Sequence, residues 1–200
     1  GEEGLRLLSE NQYTMILLDI NLSGIDGFEV IEKIRRSGNQ IPIFIISGRR
    51  EDYDTLYGLG IGADDYITKP FKPIEVLARV KTQLRRYTCY NQGEVSPRDE
   101  AVCEYNIKGL IINNKKHKCT LFGETVNLTP IEFNILWYLC EHRGNVVSSE
   151  ELFESVWGEK YLDNNNTVMT HIGRLREKLK EPARKPRFIK TVWGVGYQVE

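Results

Sequence analysis

No apolar run in this 200-residue chain approaches the ~18 residues needed to cross a bilayer, and its N-terminus lacks a basic, apolar, small-residue leader pattern. The expectation is a soluble, cytoplasmic protein with no membrane partner. Cysteine is scarce: Cys89, Cys103, Cys119 and Cys140 stand far apart and form no C-x-x-C pair, which argues against zinc or disulfides and for reduced structural thiols. Internal repeats and low-complexity segments are missing as well. Net charge is nearly absent at −1, yet it is unevenly spread. Residues 1–86 hold 12 Lys/Arg against 13 Asp/Glu, residues 105–200 hold 14 against 11, and the last 35 residues hold 8 against 3. A basic C-terminal end is often only a solvated face, and it points to nucleic acid when a suitable structural element carries it.

What is present is a 40% hydrophobic content, enough for two modest cores, in a pattern that changes once. Short apolar runs at 15–18, 41–46 and 66–68 alternate with helix-like stretches at 28–34, from about 50, and at 74–84. Continuous apolar strands separated by helices predict a parallel sheet covered on both faces. Residues 87–104 are polar, with Gly and Pro, and read as a linker. Strand-like segments at 109–126 follow, then three helices with legible starts. Thr129-Pro130-Ile131-Glu132 is a capping box ahead of Phe133, Leu136, Trp137 and Cys140 at helical spacing. Ser148-Ser149-Glu150-Glu151 opens the second, and the third follows Asn164-Asn165-Asn166, burying Val168, Ile172, Leu175 and Leu179. Residues 187–200 read as a hairpin around Trp193-Gly194-Val195-Gly196. Three helices and a basic hairpin predict a winged helix-turn-helix.

In the first half each apolar strand ends in a polar residue: Asp19, then Ser47, then Lys69. The gaps suit successive βαβ steps, so all three can stand outside the carboxyl ends of parallel strands, where open α/β sheets bind their ligands. A carboxylate nucleophile beside a hydroxyl and an ammonium suits acceptance of a phosphoryl group, with Ser and Lys donating to its equatorial oxygens. A phosphatase of the haloacid dehalogenase type uses similar groups but needs a second Asp two residues after the first. Asn21 stands there, and an amide cannot exchange protons usefully near neutral pH.

Leu18-Asp19, Asp26-Gly27, Ile46-Ser47-Gly48 and Gly62-Ala63-Asp64-Asp65-Tyr66-Ile67-Thr68-Lys69-Pro70-Phe71 resemble the receiver domain of a bacterial two-component response regulator. Leu128-Thr129-Pro130, Glu132-Phe133, Thr191-Val192 and Gly194-Val195-Gly196-Tyr197 resemble the effector domain of the OmpR/PhoB subfamily, and Val146-Val147-Ser148-Ser149 with Lys190-Thr191 is most similar to vancomycin-resistance-type regulators. The resemblance implies a flavodoxin-like α/β receiver over 1–86 and an α+β winged-helix DNA-binding domain over 105–200. It implies a transcriptional regulator rather than an enzyme, with Asp19 accepting phosphate from a sensor histidine kinase. Ser47 and Lys69 would contact the phosphoryl group, Tyr66 would move with Ser47, and Lys69-Pro70 would be cis. Mg²⁺ would be held by Asp19 and the Asn21 carbonyl. The paired acidic ligands, however, belong to a first strand-helix-strand unit that has no counterpart here, so the reading is an N-terminally truncated receiver with weak or absent Mg²⁺ binding and an uncovered edge at 15–18. The alternative is a phosphorylation-independent regulator with a degenerate receiver.

The family's dimer face would include Asp64, Asp65, Glu75, Arg79 and Arg86, with Thr55 where a basic partner usually stands. The expected partners are a second copy upon phosphorylation, promoter DNA carrying direct repeats, and RNA polymerase as a further candidate. On the third helix, Arg174 is the expected base contact with Asn166 and Thr170 beside it, while Thr167, His171, Arg176 and Lys178 would contact phosphates and Trp193 would stand on the wing. Gly173, often Arg in the subfamily, and Glu177 on the same face would weaken that contact.

Overall fold

The computed structural model describes residues 1–48, 52–92, 103–158, 161, 167–182 and 184–200, with the backbone alone at 52 and 85–92. The chain divides into two compact units, residues 1–84 and 85–200. Among the described residues no helix is long and apolar enough to cross a membrane.

The first unit runs α1 (Glu2–Glu10), β1 (Ile16–Leu18), α2 (Gly27–Arg36), β2 (Ile43–Ser47), α3 (Asp52–Ile61), β3 (Asp65–Thr68) and α4 (Pro73–Gln92). Its strands pair in parallel in the order β1-β2-β3, as the βαβ spacing predicts. β2 is the central strand and its Ile43, Phe44 and Ile45 are essentially inaccessible, which explains the unbroken apolar run. Arg35 binds α2 to the sheet: it donates to the carbonyls of Gly62 at 3.0 Å and Ile41 at 2.8 Å and pairs with Asp64 at 2.9 Å. β1 lies at the sheet edge with Leu17 half exposed, and an apolar groove of about 400 Å³ runs between it and α1, lined by Leu7, Leu8, Tyr13 and Met15. Among the described residues β1 is thus an end strand of the sheet.

α4 continues to Gln92, so helix occupies the first part of the expected 87–104 linker. The polar residues there include no helix breaker before Gly93. Residues 93–102 lie outside the described set.

The second unit opens with an antiparallel sheet of β4 (Glu104–Ile107), β5 (Leu110–Asn113), β6 (Lys118–Leu121) and β7 (Glu124–Thr125). Helices α5 (Pro130–Glu141), α6 (Ser149–Trp157) and α7 (Thr167–Lys178) follow, with β8 (Val147–Ser148) pairing into the terminal hairpin of β9 (Ile189–Val192) and β10 (Gly196–Val199). Both capping residues act as the sequence predicts. Thr129 accepts from the Glu132 N–H and Glu132 returns the bond, while Ser148 accepts from the Glu151 N–H at 3.0 Å. Phe133, Leu136, Leu152, Phe153, Ile172 and Leu175 interlock in one core. Cys119 and Cys140 are buried in it, and burial pushes both thiols up to about 12, so they are protonated apolar filling.

Two glycines of the second unit should respond oppositely to alanine. A Cβ on Gly196 would stand 2.0 Å from the Val147 carbonyl, whereas one on exposed Gly173 of α7 would meet nothing within 4 Å. Gly196→Ala should lower the denaturation midpoint by forcing β10 off β8, and Gly173→Ala should stabilise by about 1 kcal/mol through helix propensity. Equal midpoint shifts in a urea titration would contradict this packing.

Candidate functional site

The parallel register aligns the strand ends. Leu18 pairs with Ile45, so Asp19 leaves β1 as β2 approaches Ser47, and Ser47 pairs with Thr68, so Lys69 follows at the next step. The Lys69 N–H donates to the Ser47 carbonyl at 2.7 Å, fastening the two strand ends together ahead of a cis Lys69-Pro70 bond. Lys69 Nζ reaches Asp19 Oδ2 at 2.5 Å, and Asp19 Oδ1 accepts the Asn21 N–H at 3.0 Å. These contacts, Lys69 first, hold the Asp19 carboxyl below the usual carboxylate range. The result is an ionised, partly exposed carboxylate with one ammonium against it. Ser47 is fully buried at this strand end, and Tyr66 is buried in the core cluster on β3.

Gly27 brings the start of α2 against the Asp19 loop. Its N–H donates to the Ile20 carbonyl, and a Cβ there would stand 2.6 Å from the Asp19 carbonyl. Asp26 caps the same helix by accepting the Glu29 N–H at 2.9 Å. The Asp26-Gly27 pair thus sets the loop that carries Asp19.

Mg²⁺ prefers near-octahedral oxygen ligation. The donors placed for it here are the Asp19 carboxylate, already engaged by Lys69, and the Asn21 carbonyl, and among the described residues no group of three His, Cys, Asp or Glu side chains could hold a metal. The residues present do not fit a resident Mg²⁺.

Several side chains expected on the dimer face are committed within the unit. Asp64 is wholly buried, pairing with Arg35 and accepting the Ile43 N–H at 2.9 Å, so it joins α2 to the sheet rather than facing a partner. Asp65 is 2% exposed and takes two bonds from Arg79, which also reaches Glu75 at 3.2 Å. Burial raises the Asp65 carboxyl and Arg79 opposes that shift. Glu75 retains substantial exposure, beside the exposed apolar residues Ile74 and Leu77. The Arg86 side chain lies outside the described residues.

The face of α7 differs from the sequence expectation. Arg174 is buried and pairs at 2.9 Å with Glu132 of α5, which is itself fully buried, and Lys178 pairs with the other Glu132 oxygen at 2.6 Å. His171 is inaccessible, 5.5 Å from the Trp157 ring, and Thr167 is buried. Arg176 donates to the Ile189 carbonyl and the Thr191 hydroxyl, tying α7 to the hairpin. Arg174, His171 and Thr167 therefore belong to the protein interior, not to a nucleic-acid contact. The outward residues are Met169, Gly173 and Glu177, with Thr170 partly exposed, while Trp193 at the hairpin turn is 89% exposed. Asn166 lies outside the described residues. Sequence reasoning missed Glu132 as the anchor of α7 and Met169 as an outward apolar residue. The capping box revealed only the first of the Glu132 contacts.

A parallel-sheet unit with a carboxylate and an ammonium at its strand ends, joined to a winged helix, defines a receiver coupled to a DNA-binding output. Comparison with known proteins agrees: residues 1–81 match the Response regulator receiver domain, and residues 123–199 match the family described as Transcriptional regulatory protein, C terminal. The chain is similar to the Regulatory protein VanRc of Enterococcus gallinarum, at 54% identity over all of this chain and 85% of the relative. It is 46% identical to the Regulatory protein VanR of Enterococcus faecium, again over all of this chain and 85% of the relative. The solved structure of a RitR mutant matches with a TM-score of 0.70 at 27% identity, covering all of this chain and 84% of that one. The chain belongs to the two-component response regulators of the OmpR/PhoB type, which are DNA-binding transcription regulators and not enzymes.

Lys69→Met should move the Asp19 carboxyl up toward its ordinary range, because the contact that lowers it most is lost. A depressed carboxyl stabilises the fold above its ordinary pKa, and that contribution disappears as pH falls through the folded value. The variant should therefore lose part of the acid-side dependence of stability below about pH 4. Carbon-detected NMR titration of Asp19 measures the shift directly, and an unchanged Asp19 titration would contradict the assigned contact.

Proposed function

We propose that a sensor histidine kinase phosphorylates this regulator on Asp19 and that the second unit then binds promoter direct repeats as part of a homodimer. The observation that carries the reading is the pairing of Asp19 with Lys69 at adjacent strand ends. An Asp19 carboxylate oxygen attacks phosphorus, the N–P bond of the phosphohistidine breaks, and the imidazole departs. Lys69 keeps the nucleophile ionised and then follows the negative charge onto the phosphoryl oxygens. Ser47, fixed at the neighbouring strand end, supplies the second donor, and Tyr66 responds to Ser47 as the moving aromatic. In dimerisation, the buried pairs Asp64–Arg35 and Asp65–Arg79 hold the backbone, while Glu75, Ile74 and Leu77 meet the partner. RNA polymerase is the partner expected at the promoter.

The second reading is a regulator that works without phosphate. One experiment separates the two. The 200-residue protein and a version extended ahead of residue 1 by a strand-helix-strand unit bearing paired carboxylates are incubated with an acyl phosphate and Mg²⁺, and intact mass is read with Asp19→Asn as control. One phosphoryl group on Asp19 of the longer protein, absent from its Asp19→Asn form, and stronger dimerisation are expected. A longer protein that stays unmodified yet binds DNA would establish the second reading. Stoichiometric, Asp19-dependent modification of the shorter protein would refute the account of its metal donors.

On the DNA side, Thr170, Gly173 and Trp193 form the proposed contact surface, and Glu177 opposes phosphates from the same face. Glu177→Lys should strengthen binding to cognate and random duplexes alike and steepen the dependence of log K on log salt by about one unit. An unchanged salt slope would place Glu177 away from the duplex.

A further inference from the structure

The second unit carries a polar cleft of about 370 Å³ that no part of the receiver or DNA-binding reading uses. One face of α5 floors it, through Asn134, Trp137, Tyr138 and Glu141 at i, i+3, i+4 and i+7. Asn114, just after β5, and Ser155 of α6 form its walls. One side chain has unmet acceptor capacity and another brings negative charge. Asn114 Oδ1 is buried without a hydrogen-bond partner, an arrangement that costs free energy unless a donor arrives. Glu141 accepts the Trp137 indole N–H at 2.6 Å through one oxygen, while its carboxylate belongs to no ion pair among the described residues. Tyr138 donates its hydroxyl to Glu151 at 3.0 Å.

The surroundings carry the same sign. Desolvation leads the upward shifts of the Tyr105 and Tyr138 phenols, and Glu141 adds to both. Negative potential, an orphaned acceptor and an aromatic floor together call for a cation that donates several hydrogen bonds in a plane. Guanidinium meets that description: it offers five N–H donors for acceptors such as Glu141 and Asn114, and a planar face that stacks on aromatic rings. An ammonium without N–H groups would satisfy the charge and leave Asn114 unmet.

We propose that this cleft, between the turn after β5, α5 and α6, is a guanidinium-binding site. The guanidinium comes from either a small free cation or an arginine side chain of a protein. Isothermal titration of the 200-residue protein with agmatine, with a short arginine-bearing peptide and with tetramethylammonium tests the site and its source. Saturable binding of agmatine or of the peptide is expected, with tetramethylammonium inert at the same concentrations; preference for agmatine identifies a small effector and preference for the peptide identifies a protein contact. Glu141→Gln keeps an acceptor for Trp137 but removes the charge, and it should weaken binding about tenfold or more, as expected for a charged hydrogen bond. Asn114→Ala should weaken binding several-fold, and thermal midpoints verify that both variants are folded. Absence of saturable guanidinium binding, equal binding of tetramethylammonium, or undiminished affinity in folded Glu141→Gln would overturn the proposal.

Discussion

The contacts of Glu132 organise the output half of the molecule. Its carboxylate closes the capping box of α5 by accepting the Thr129 N–H at 2.8 Å, and the same two oxygens bind Arg174 and Lys178 of α7. A fully buried carboxylate is costly unless charged donors surround it, and removal of one partner from such a cluster costs about 3–5 kcal/mol. The grouping therefore fixes the rotation of α7 about its axis as well as its distance from α5. Arg176, bonded to the Ile189 carbonyl and Thr191, fixes the hairpin to the same helix. What α7 and the wing present to DNA follows from these attachments.

Similar buried charge pairs stiffen the receiver. Arg35 joins α2 to the β2 and β3 ends through Asp64, and Arg79 joins α4 to β3 through Asp65. Both carboxylates sit at the start of β3, the strand that delivers Lys69 to Asp19. The Asp19–Lys69 contact thus rests on a sheet whose helices are anchored by buried ion pairs, while the contact itself lies nearer solvent. A change at that contact therefore acts against a frame held by buried ion pairs.

The strand-end site was legible because period and spacing suffice: apolar runs end in Asp19, Ser47 and Lys69 at βαβ intervals. The helix starts of α5 and α6 were legible through Thr129, Glu132 and Ser148, whose partners lie three residues away. Long-range pairing was not legible. Asp64 reads as an acidic surface residue until Arg35, 29 positions earlier, is found against it. The outward face expected for α7 opposite Val168, Ile172, Leu175 and Leu179 differed for a related reason. That expectation placed burial only where apolar residues fall, whereas Glu132 draws two cations inward and extends the buried arc from about 40° back through zero to about 240°, counted from Val168 at 100° per residue. Charged residues looked like the outer face because their partner belongs to another helix.

The orientation of α7 is most directly tested by a double-mutant cycle between Glu132 and Arg174, comparing Glu132→Gln, Arg174→Met and the double variant by urea denaturation of the protein. A buried ion pair between residues in contact predicts a favourable coupling of about 0.5–3 kcal/mol. Coupling below about 0.5 kcal/mol, within the additivity of independent sites, would mean that Arg174 is not held by Glu132 and would contradict the assigned face of the helix.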